Sequence, residues 1–332
     1  MAAKQLFDNH GRPIKYLRLA VTDRCNLRCF YCMPEEGIKY IPRKELLTFE
    51  EIERLVTILG EMGITKIRLT GGEPFVRTDL MKLIRRIVDI EGIQDVHITT
   101  NGILTSPHIQ ELKSLGIASV NLSLDTLDHE RFKVITRRDE FAKTWNTFQL
   151  LLKHKIPVKI NTVVMEGKNT EDILQLVKLT KDQNVSVRFI EEMPFNGEGS
   201  HYPTLRWTYS KILEHIRAEF PTIKKIQDEE NSTAYHYQVP GFKGNIGIIA
   251  AFSRTFCGSC NRIRVTAQGV LKTCLYDDGV LNIKDLMRSG VRDSEIKEHL
   301  LQAFSSRPKD GFQAEQNRKH HSISESMSTI GG

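Results

Sequence analysis

The sequence predicts an α/β fold: a partial barrel of six strand–helix units, followed by a smaller C-terminal α+β extension. Three observations support this. Short runs rich in Val, Ile and Leu alternate with amphipathic helical stretches over the first two-thirds of the chain. Polar or glycine-rich residues follow each apolar run. The alternation stops near Gln227, where short strands and turns replace it.

The apolar runs have the composition of buried parallel strands. They are residues 16–21, 66–69, 96–99, 119–124, 158–164 and 185–190. Amphipathic helices are predicted between and after them, the first opening with a capping box of Thr48 and Glu51. The others are residues 79–90, 107–115, 141–153, 169–184 and 209–220. Strand–helix units in series imply parallel strands joined by right-handed crossovers.

The polar stretches at the strand ends distinguish between two architectures. Either a doubly wound sheet or a TIM-like barrel, complete or partial, could hold six such units. Barrel enzymes build their sites from the loops at the carboxyl ends of the strands. Because every predicted strand leads into polar residues, we favour the partial barrel. We divide the chain into a core of residues 1–226, a C-terminal domain of residues 227–304 and a flexible tail of residues 305–332.

Composition excludes several classes of protein. The chain has 332 residues, 40% hydrophobic and 27% charged, which excludes collagen and a largely disordered chain. No apolar run is long enough for a membrane helix, and the N-terminus lacks a secretory signal. A net charge of +6 fits an anionic small molecule as well as an ordinary surface. We expect a cytoplasmic protein that binds neither membrane nor nucleic acid.

The six cysteines fall into two groups of three. The first trio is Cys25, Cys29 and Cys32, and the second is Cys257, Cys260 and Cys274. A reducing cytosol would keep these thiols free, so metal or iron–sulfur binding is the better interpretation. Three thiolates on a four-iron cluster leave one iron open to a small molecule. Zinc with a fourth ligand from elsewhere is the alternative for each trio.

Basic residues occur where strands are predicted. Arg262 and Arg264 alternate along a short run and therefore point to one face, where two guanidinium groups suit a phosphate. A solvated strand face would explain them equally well. Arg18, Arg68 and Lys159 lie inside predicted buried strands, where a cation needs a partner. An anion in the barrel or a buried carboxylate could supply it.

Residues 25–32, with the pattern CxxxCxxC, and Gly71-Gly72-Glu73-Pro74 resemble the signatures of the radical S-adenosylmethionine enzymes. The resemblance implies that Cys25, Cys29 and Cys32 hold a [4Fe-4S] cluster whose open iron binds S-adenosylmethionine. Electron transfer then yields a 5′-deoxyadenosyl radical. The pocket residues that the resemblance implies for this cofactor are Tyr31, Gly72, Ser123 and Met193.

Within that family, the chain resembles the enzymes of the first step of molybdenum cofactor biosynthesis. The resemblance rests on residues 8–13, both trios, the Arg-x-Arg sequence and the terminal Gly331-Gly332. It implies a lyase that converts GTP to (8S)-3′,8-cyclo-7,8-dihydroguanosine 5′-triphosphate, with the ribose C3′ radical attacking C8 of guanine. It also implies an electron donor, cyclic pyranopterin monophosphate synthase as the downstream enzyme, and possible homodimers.

Residue roles follow from the same resemblance. Cys257, Cys260 and Cys274 would hold a second [4Fe-4S] cluster whose open iron contacts the guanine. The nucleotide would be bound by Arg18, Arg68, Thr99, Lys159, Arg262 and Arg264, of which the last two are also counted with the catalytic residues. The family's Gly-Gly tail enters the active site near arginines.

Two other functions stay open. A radical S-adenosylmethionine enzyme that modifies peptides could also carry an auxiliary cluster, although such enzymes usually have more C-terminal cysteines. A zinc- or cluster-binding electron carrier that is not an enzyme would not need six strand–helix units with polar strand ends.

Overall fold

A computed structural model describes residues 5–197, 204–318 and 325–331 of the chain. The described residues contain twelve strands, numbered in chain order. They are β1 (Tyr16–Ala20), β2 (Lys66–Thr70), β3 (Asp95–Thr100), β4 (Ser119–Ser123), β5 (Val158–Val164), β6 (Ser186–Glu191), β7 (Lys224–Lys225), β8 (Ala234–Gln238), β9 (Asn245–Ile249), β10 (Arg262–Val265), β11 (Val270–Lys272) and β12 (Leu281–Asn282). Each of the six predicted strands is present as β1 to β6, with ends that differ by at most one residue.

These strands form one sheet in the order β12-β11-β10-β1-β2-β3-β4-β5-β6-β9-β8-β7. The strands from β10 to β9 in this order pair in parallel, and short antiparallel strands extend both edges. The predicted α/β partial barrel with a C-terminal extension is confirmed. Strands β9 and β10 come from the extension and lengthen the parallel sheet on both sides of the six predicted strands.

The α-helices of the described residues connect and cover these strands. They are α1 (Phe49–Glu61), α2 (Leu80–Val88), α3 (Ile109–Ser114), α4 (His129–Thr136), α5 (Phe141–Lys153), α6 (Ile173–Asp182), α7 (Tyr209–Glu219), α8 (Ile283–Arg288), α9 (Asp293–Phe304), α10 (Gly311–Gln316) and α11 (Met327–Ile330). The predicted capping box of α1 is present, with both reciprocal hydrogen bonds. Helix α4 was not predicted, because its eight residues bury only Phe132, Ile135 and Thr136.

The register of the sheet separates apolar from polar side chains. Leu17, Ile67 and Ile98 are fully buried and belong to one large hydrophobic core. Neighbouring residues in each strand point to the opposite face, because side chains alternate along a strand. Arg264, Arg18, Arg68 and His97 are therefore aligned across β10, β1, β2 and β3. The inner face of the barrel is polar and cationic at this level.

The chain beyond residue 304 folds against this body. Helices α10 and α11 lie within the segment predicted to be a flexible tail, and Phe195, Tyr276, Ala314 and Ile330 form a small second core. The boundary at residue 227 stays a prediction, because strands from both sides of it pair within one sheet. Within the described residues, no helix combines the length and the apolar character needed to cross a membrane.

Candidate active site

The first cysteine trio lies in the loop that follows β1, at the carboxyl end of the parallel strands. Helix α4 holds this loop through two backbone hydrogen bonds, from Arg28 N to Thr136 O at 2.9 Å and from Phe30 N to Ile135 O at 3.2 Å. Within the loop, Cys32 N donates to Cys29 O at 2.9 Å. The helix absent from the sequence prediction is thus one of the elements that shape the cysteine loop.

Gly71 and Gly72 bring the end of β2 against the same loop. A Cβ atom on Gly71 would lie 2.2 Å from the carbonyl oxygen of Thr22, and one on Gly72 would lie 2.3 Å from that of Arg24. Gly71 also has a φ of +142°. Backbone hydrogen bonds from Gly72 N to Thr22 O and from Glu73 N to Arg24 O close this contact. Only glycine allows so close an approach.

The Glu73 carboxylate accepts hydrogen bonds from the residues that lie beneath the cysteine loop. It is fully buried and accepts hydrogen bonds from Asn101 N at 2.7 Å, Thr100 Oγ1 at 2.8 Å and Phe75 N at 3.1 Å. Asn101 in turn donates from Nδ2 to Asn26 Oδ1 at 2.7 Å and lies 3.8 Å from the sulfur of Cys25. The polar stretch after β3 therefore supports the first trio.

The thiols of the first trio fit a site that holds a metal centre. Burial raises the pKa of Cys25 to about 12 and that of Cys29 well above its ordinary value. Thiolates here therefore need a cationic partner, which ligated iron would supply. In the described part of the chain, no three His, Cys, Asp or Glu side chains are arranged to hold a single metal ion.

A cavity of about 330 Å³ lies inside the barrel and unites most of the predicted site residues. Its lining includes Tyr31, Ser123, Met193, Arg18, Arg68, Thr99, Lys159, Arg262, Arg264, Cys257, Cys260 and Cys274. Tyr31 donates a hydrogen bond of 2.8 Å to Asp125. Gly72 and the first trio are outside the described lining, and Gly72 packs beneath the cysteine loop instead.

The structure adds residues that the sequence analysis did not select. Tyr16, Lys66, Arg188, Asn121 and Asn161 also line the cavity. The available signal was the alternation of side chains along a strand. Tyr16 lies two residues before Arg18 on β1, and Asn161 lies two residues after Lys159 on β5, so each shares a face with a predicted residue. Asn161 pairs with Arg188 across β5 and β6.

Several buried polar atoms of this lining have no hydrogen-bond partner within the described residues. They are Thr99 Oγ1, Asn121 Oδ1, Asn161 Oδ1, Arg188 Nε, and Nε and Nη2 of Arg262. Burial of such groups without a partner is costly. Guanidinium groups only donate, so the missing partner of Arg188 and Arg262 is an acceptor, and a polyanion would satisfy their nitrogens together. The amide oxygens of Asn121 and Asn161 only accept, so they need a donor.

Electrostatics support the same conclusion. Burial and the neighbouring Arg188 lower the pKa of Lys159 to about 8, and burial and Arg68 lower the pKa of Arg188 to about 10. Among the described residues, eight cationic side chains face the cavity, namely Arg18, Lys66, Arg68, Lys159, Arg188, Arg254, Arg262 and Arg264, against the carboxylates Glu192, Glu229 and Glu230. An anionic ligand would relieve this repulsion.

The second trio lies at the other end of the barrel. Cys257 and Cys260 precede β10, whereas the first trio follows β1, and these two strands run parallel to each other. Cys274 follows β11, which runs antiparallel to β10 and so ends near the same place. All three cysteines line the cavity. The cavity therefore extends from the second trio towards the residues around the first.

Charged groups surround the second trio. Burial raises the pKa of Cys260, but the neighbouring Arg262 and Arg307 cations outweigh burial and lower that pKa to about 6. Asp277 accepts hydrogen bonds of 2.8 Å from the backbone nitrogens of Thr273 and Cys274. Arg262 and Arg307 thus favour a thiolate at Cys260, whereas burial raises the pKa of Cys257, and burial and Asp277 raise that of Cys274 to about 12.

The C-terminal tail reaches the cavity residues. Arg264 Nη1 donates to the carbonyl oxygen of Gly331 at 2.6 Å. Ser326 donates to the carbonyl oxygen of Cys32 at 2.7 Å, and its Oγ lies 3.9 Å from the Cys32 sulfur. Gly332 lies outside the described residues. The described end of the tail thus contacts both the first trio and the arginine row.

Comparison with known proteins agrees with this architecture. The family model described as "Radical SAM superfamily" matches residues 19–180, and "Molybdenum Cofactor Synthesis C" matches residues 185–313. The crystal structure of Streptococcus suis SuiB bound to S-adenosylmethionine matches with a TM-score of 0.60 at 16% identity. The match covers 90% of this chain and 68% of that chain. At this identity the likeness shows a shared fold.

Relatives in sequence are more similar. GTP 3′,8-cyclase of Clostridium perfringens (strain 13 / Type A) is 42% identical over 306 residues, which cover 91% of this chain and 93% of that protein. Molybdenum cofactor biosynthesis protein 1 of Bos taurus is 41% identical over 292 residues, which cover 88% of this chain and 46% of that protein. This chain spans about half the length of the animal relative. It belongs to the family of radical S-adenosylmethionine enzymes that includes GTP 3′,8-cyclase.

Proposed function

We propose that this protein is a GTP 3′,8-cyclase, which converts GTP into the first intermediate of molybdenum cofactor biosynthesis. The observation that carries the proposal is the row of Arg264, Arg18 and Arg68 on three adjacent strands, facing a cavity that also exposes the second trio. Such a row suits a triphosphate, because guanidinium groups bind phosphate oxygens in pairs.

The cofactors would occupy the two ends of the barrel. Cys25, Cys29 and Cys32 would hold the [4Fe-4S] cluster that binds S-adenosylmethionine, with Tyr31, Ser123 and Met193 along the cavity wall and Gly72 beneath the loop. When bound, this pair supplies the 5′-deoxyadenosyl radical that removes the C3′ hydrogen of GTP. Cys257, Cys260 and Cys274 would hold the second [4Fe-4S] cluster next to the guanine.

The protein's own residues would position the nucleotide. Arg18, Arg68, Lys159, Arg262 and Arg264 would bind mainly the triphosphate, and Thr99, whose hydroxyl is buried and unpaired within the described residues, would assist. Fixing the ribose between the two ends of a protected cavity shortens the approach of C3′ to C8 and protects a radical from solvent. Orientation and water exclusion are thus the chain's contribution to catalysis.

Partners follow from the same proposal. The enzyme would need a one-electron donor and would pass its product to cyclic pyranopterin monophosphate synthase. We further propose that it acts in the cytoplasm as a homodimer.

The decisive experiment is an anaerobic assay of the reconstituted protein with GTP, S-adenosylmethionine and a reductant. Mass spectrometry should detect 5′-deoxyadenosine and an isomer of GTP in equal amounts. Formation of 5′-deoxyadenosine with GTP recovered unchanged would contradict the proposal. In that case a substrate of another class, such as the peptide of an auxiliary-cluster enzyme, would be favoured. Bound zinc in place of iron would instead favour the non-enzyme alternative.

A further inference from the structure

Arg307 is a buried arginine that directly contacts a cysteine of the second trio. It lies between α9 and α10, and its side chain is 2% exposed. Its Nη2 donates to the sulfur of Cys260 at 3.2 Å. It belongs to residues 305–332, the segment predicted to be a flexible tail, and no sequence pattern indicates a role for it.

All five N–H groups of the Arg307 guanidinium have an acceptor here. Besides the sulfur, it donates to the carbonyl oxygens of Cys260 at 3.0 Å, Arg262 at 2.7 Å and Thr273 at 2.9 Å. A fifth contact, of 3.2 Å, reaches the carboxylate of Asp8. An arginine has five N–H groups in a planar fork, so this arrangement has no equivalent for lysine.

These contacts join the two chain segments that carry the second trio. Arg262 is the first residue of β10 and Cys260 lies two residues before it, whereas Thr273 directly precedes Cys274 after β11. One side chain therefore fixes the distance between the Cys260 and Cys274 backbones. Asp8, which is also buried, orients Arg307 and pairs with Arg12.

We propose that Arg307 is a positioning residue for the second cluster, which holds Cys260 and Cys274 in place and sets the cluster's reduction potential through its hydrogen bond to the Cys260 sulfur. The inference rests on the two-cluster function proposed above. A cationic N–H···S bond stabilises the reduced, more negative form of an iron–sulfur cluster. Losing this bond should shift the midpoint potential to more negative values.

The test compares R307K and R307Q with the wild-type protein, all full-length and reconstituted anaerobically. Iron and sulfide are counted, and each cluster is titrated by EPR in the presence of GTP. R307K keeps the charge but not the fork. The matched control is R12K: Arg12 contacts the same Asp8 and the carbonyl oxygen of Cys257 at 3.1 Å, and its described contacts do not include a sulfur.

We expect R307K and R307Q to shift the second cluster to a more negative potential, or to lose that cluster alone. The first cluster's signal should be unchanged, and R12K should keep the wild-type potential. Both clusters present in R307K and R307Q at wild-type potential would overturn the inference, as would an equal shift in R12K. Wild-type protein with only about four irons per chain would instead contradict the two-cluster function itself.

A second measurement covers the case in which the Arg307 variants do not fold. In the R262K protein labelled with ¹⁵N-arginine, Arg307 is, among the described residues, the arginine that still donates to a sulfur of this trio. Pulsed EPR of its second cluster should show a nitrogen coupling. Absence of that coupling would overturn the inference.

Discussion

Arg264 donates a 2.6 Å hydrogen bond from Nη1 to the carbonyl oxygen of Gly331. The tail can approach this closely because residue 331 lacks a side chain. Gly331 has a φ of +79°, and a Cβ atom there would lie 2.8 Å from Thr70 Cγ2 and 3.2 Å from Ala20 Cβ. The end of the tail is thus fitted between β1, β2 and the arginine row.

For G331A we therefore expect the tail to shift and the Arg264 contact to be lost, with GTP turnover falling by about tenfold or more, as for a charge-assisted bond. Steady-state assays of both variants measure this. The control is G116A, which has a similar φ of +70° but no neighbour within 4 Å. It carries only the backbone cost of about 1 kcal/mol. Equal turnover in G331A and G116A would refute the role of the tail.

A role for Arg188 in GTP binding is predicted from the structure alone. It lines the cavity, and its buried Nε has no described hydrogen-bond partner. We expect R188Q to weaken GTP binding by about 10- to 100-fold, because a charge-assisted contact is lost. Binding of S-adenosylmethionine should stay the same. Calorimetry with each ligand measures this, with the exposed R292Q as control. Unchanged GTP affinity in R188Q would show that the nucleotide does not reach β6.

The lowered pKa of Tyr16 predicts that the stability of the folded protein depends on pH. Burial raises its pKa, but Arg68, Arg18 and Arg262 outweigh burial and lower the value from 10 to about 7. The folded state therefore favours the phenolate. Its contribution is complete above the unfolded pKa near 10 and is lost as pH falls through about 7.

In nucleotide-free protein, the free energy of unfolding of the wild type should therefore rise between pH 7 and 10 relative to that of Y16F. Denaturant unfolding of both proteins at several pH values measures this difference, because the other titrating groups are common to both. Phenolate absorbance provides an independent measure of the same titration. Parallel pH profiles for the two proteins would contradict the lowered pKa.

The second trio predicts a separation of two activities. Replacing Cys257 and Cys260 by Ala should lower iron from about eight to about four per chain, since each cubane holds four. Cleavage of S-adenosylmethionine should continue without substrate turnover, whereas GTP cyclisation should be abolished. C25A is the opposite control and should lose both. Cyclisation by the double variant would show that the second cluster is not needed.

Much of the fold could be predicted because local chemistry sets it. The six strands follow from apolar runs, and the Thr48–Glu51 capping box fixes the start of α1 within the sequence itself. Helix α4 was not predicted because little of its surface is buried, and its contacts with the cysteine loop join segments about a hundred residues apart. Arg307 was missed for a similar reason: a single arginine after a helix carries no local signal of its partners.

By itself, the sequence determined the two cysteine trios, the glycines before Glu73 and the strand positions of Arg18, Arg68 and Lys159, because residue type and short spacing suffice for these. Only the tertiary structure decided that the trios lie at opposite ends of parallel strands and that Arg264, Arg18 and Arg68 form one row. Sheet order and register depend on pairing between segments more than two hundred residues apart, which no local pattern encodes.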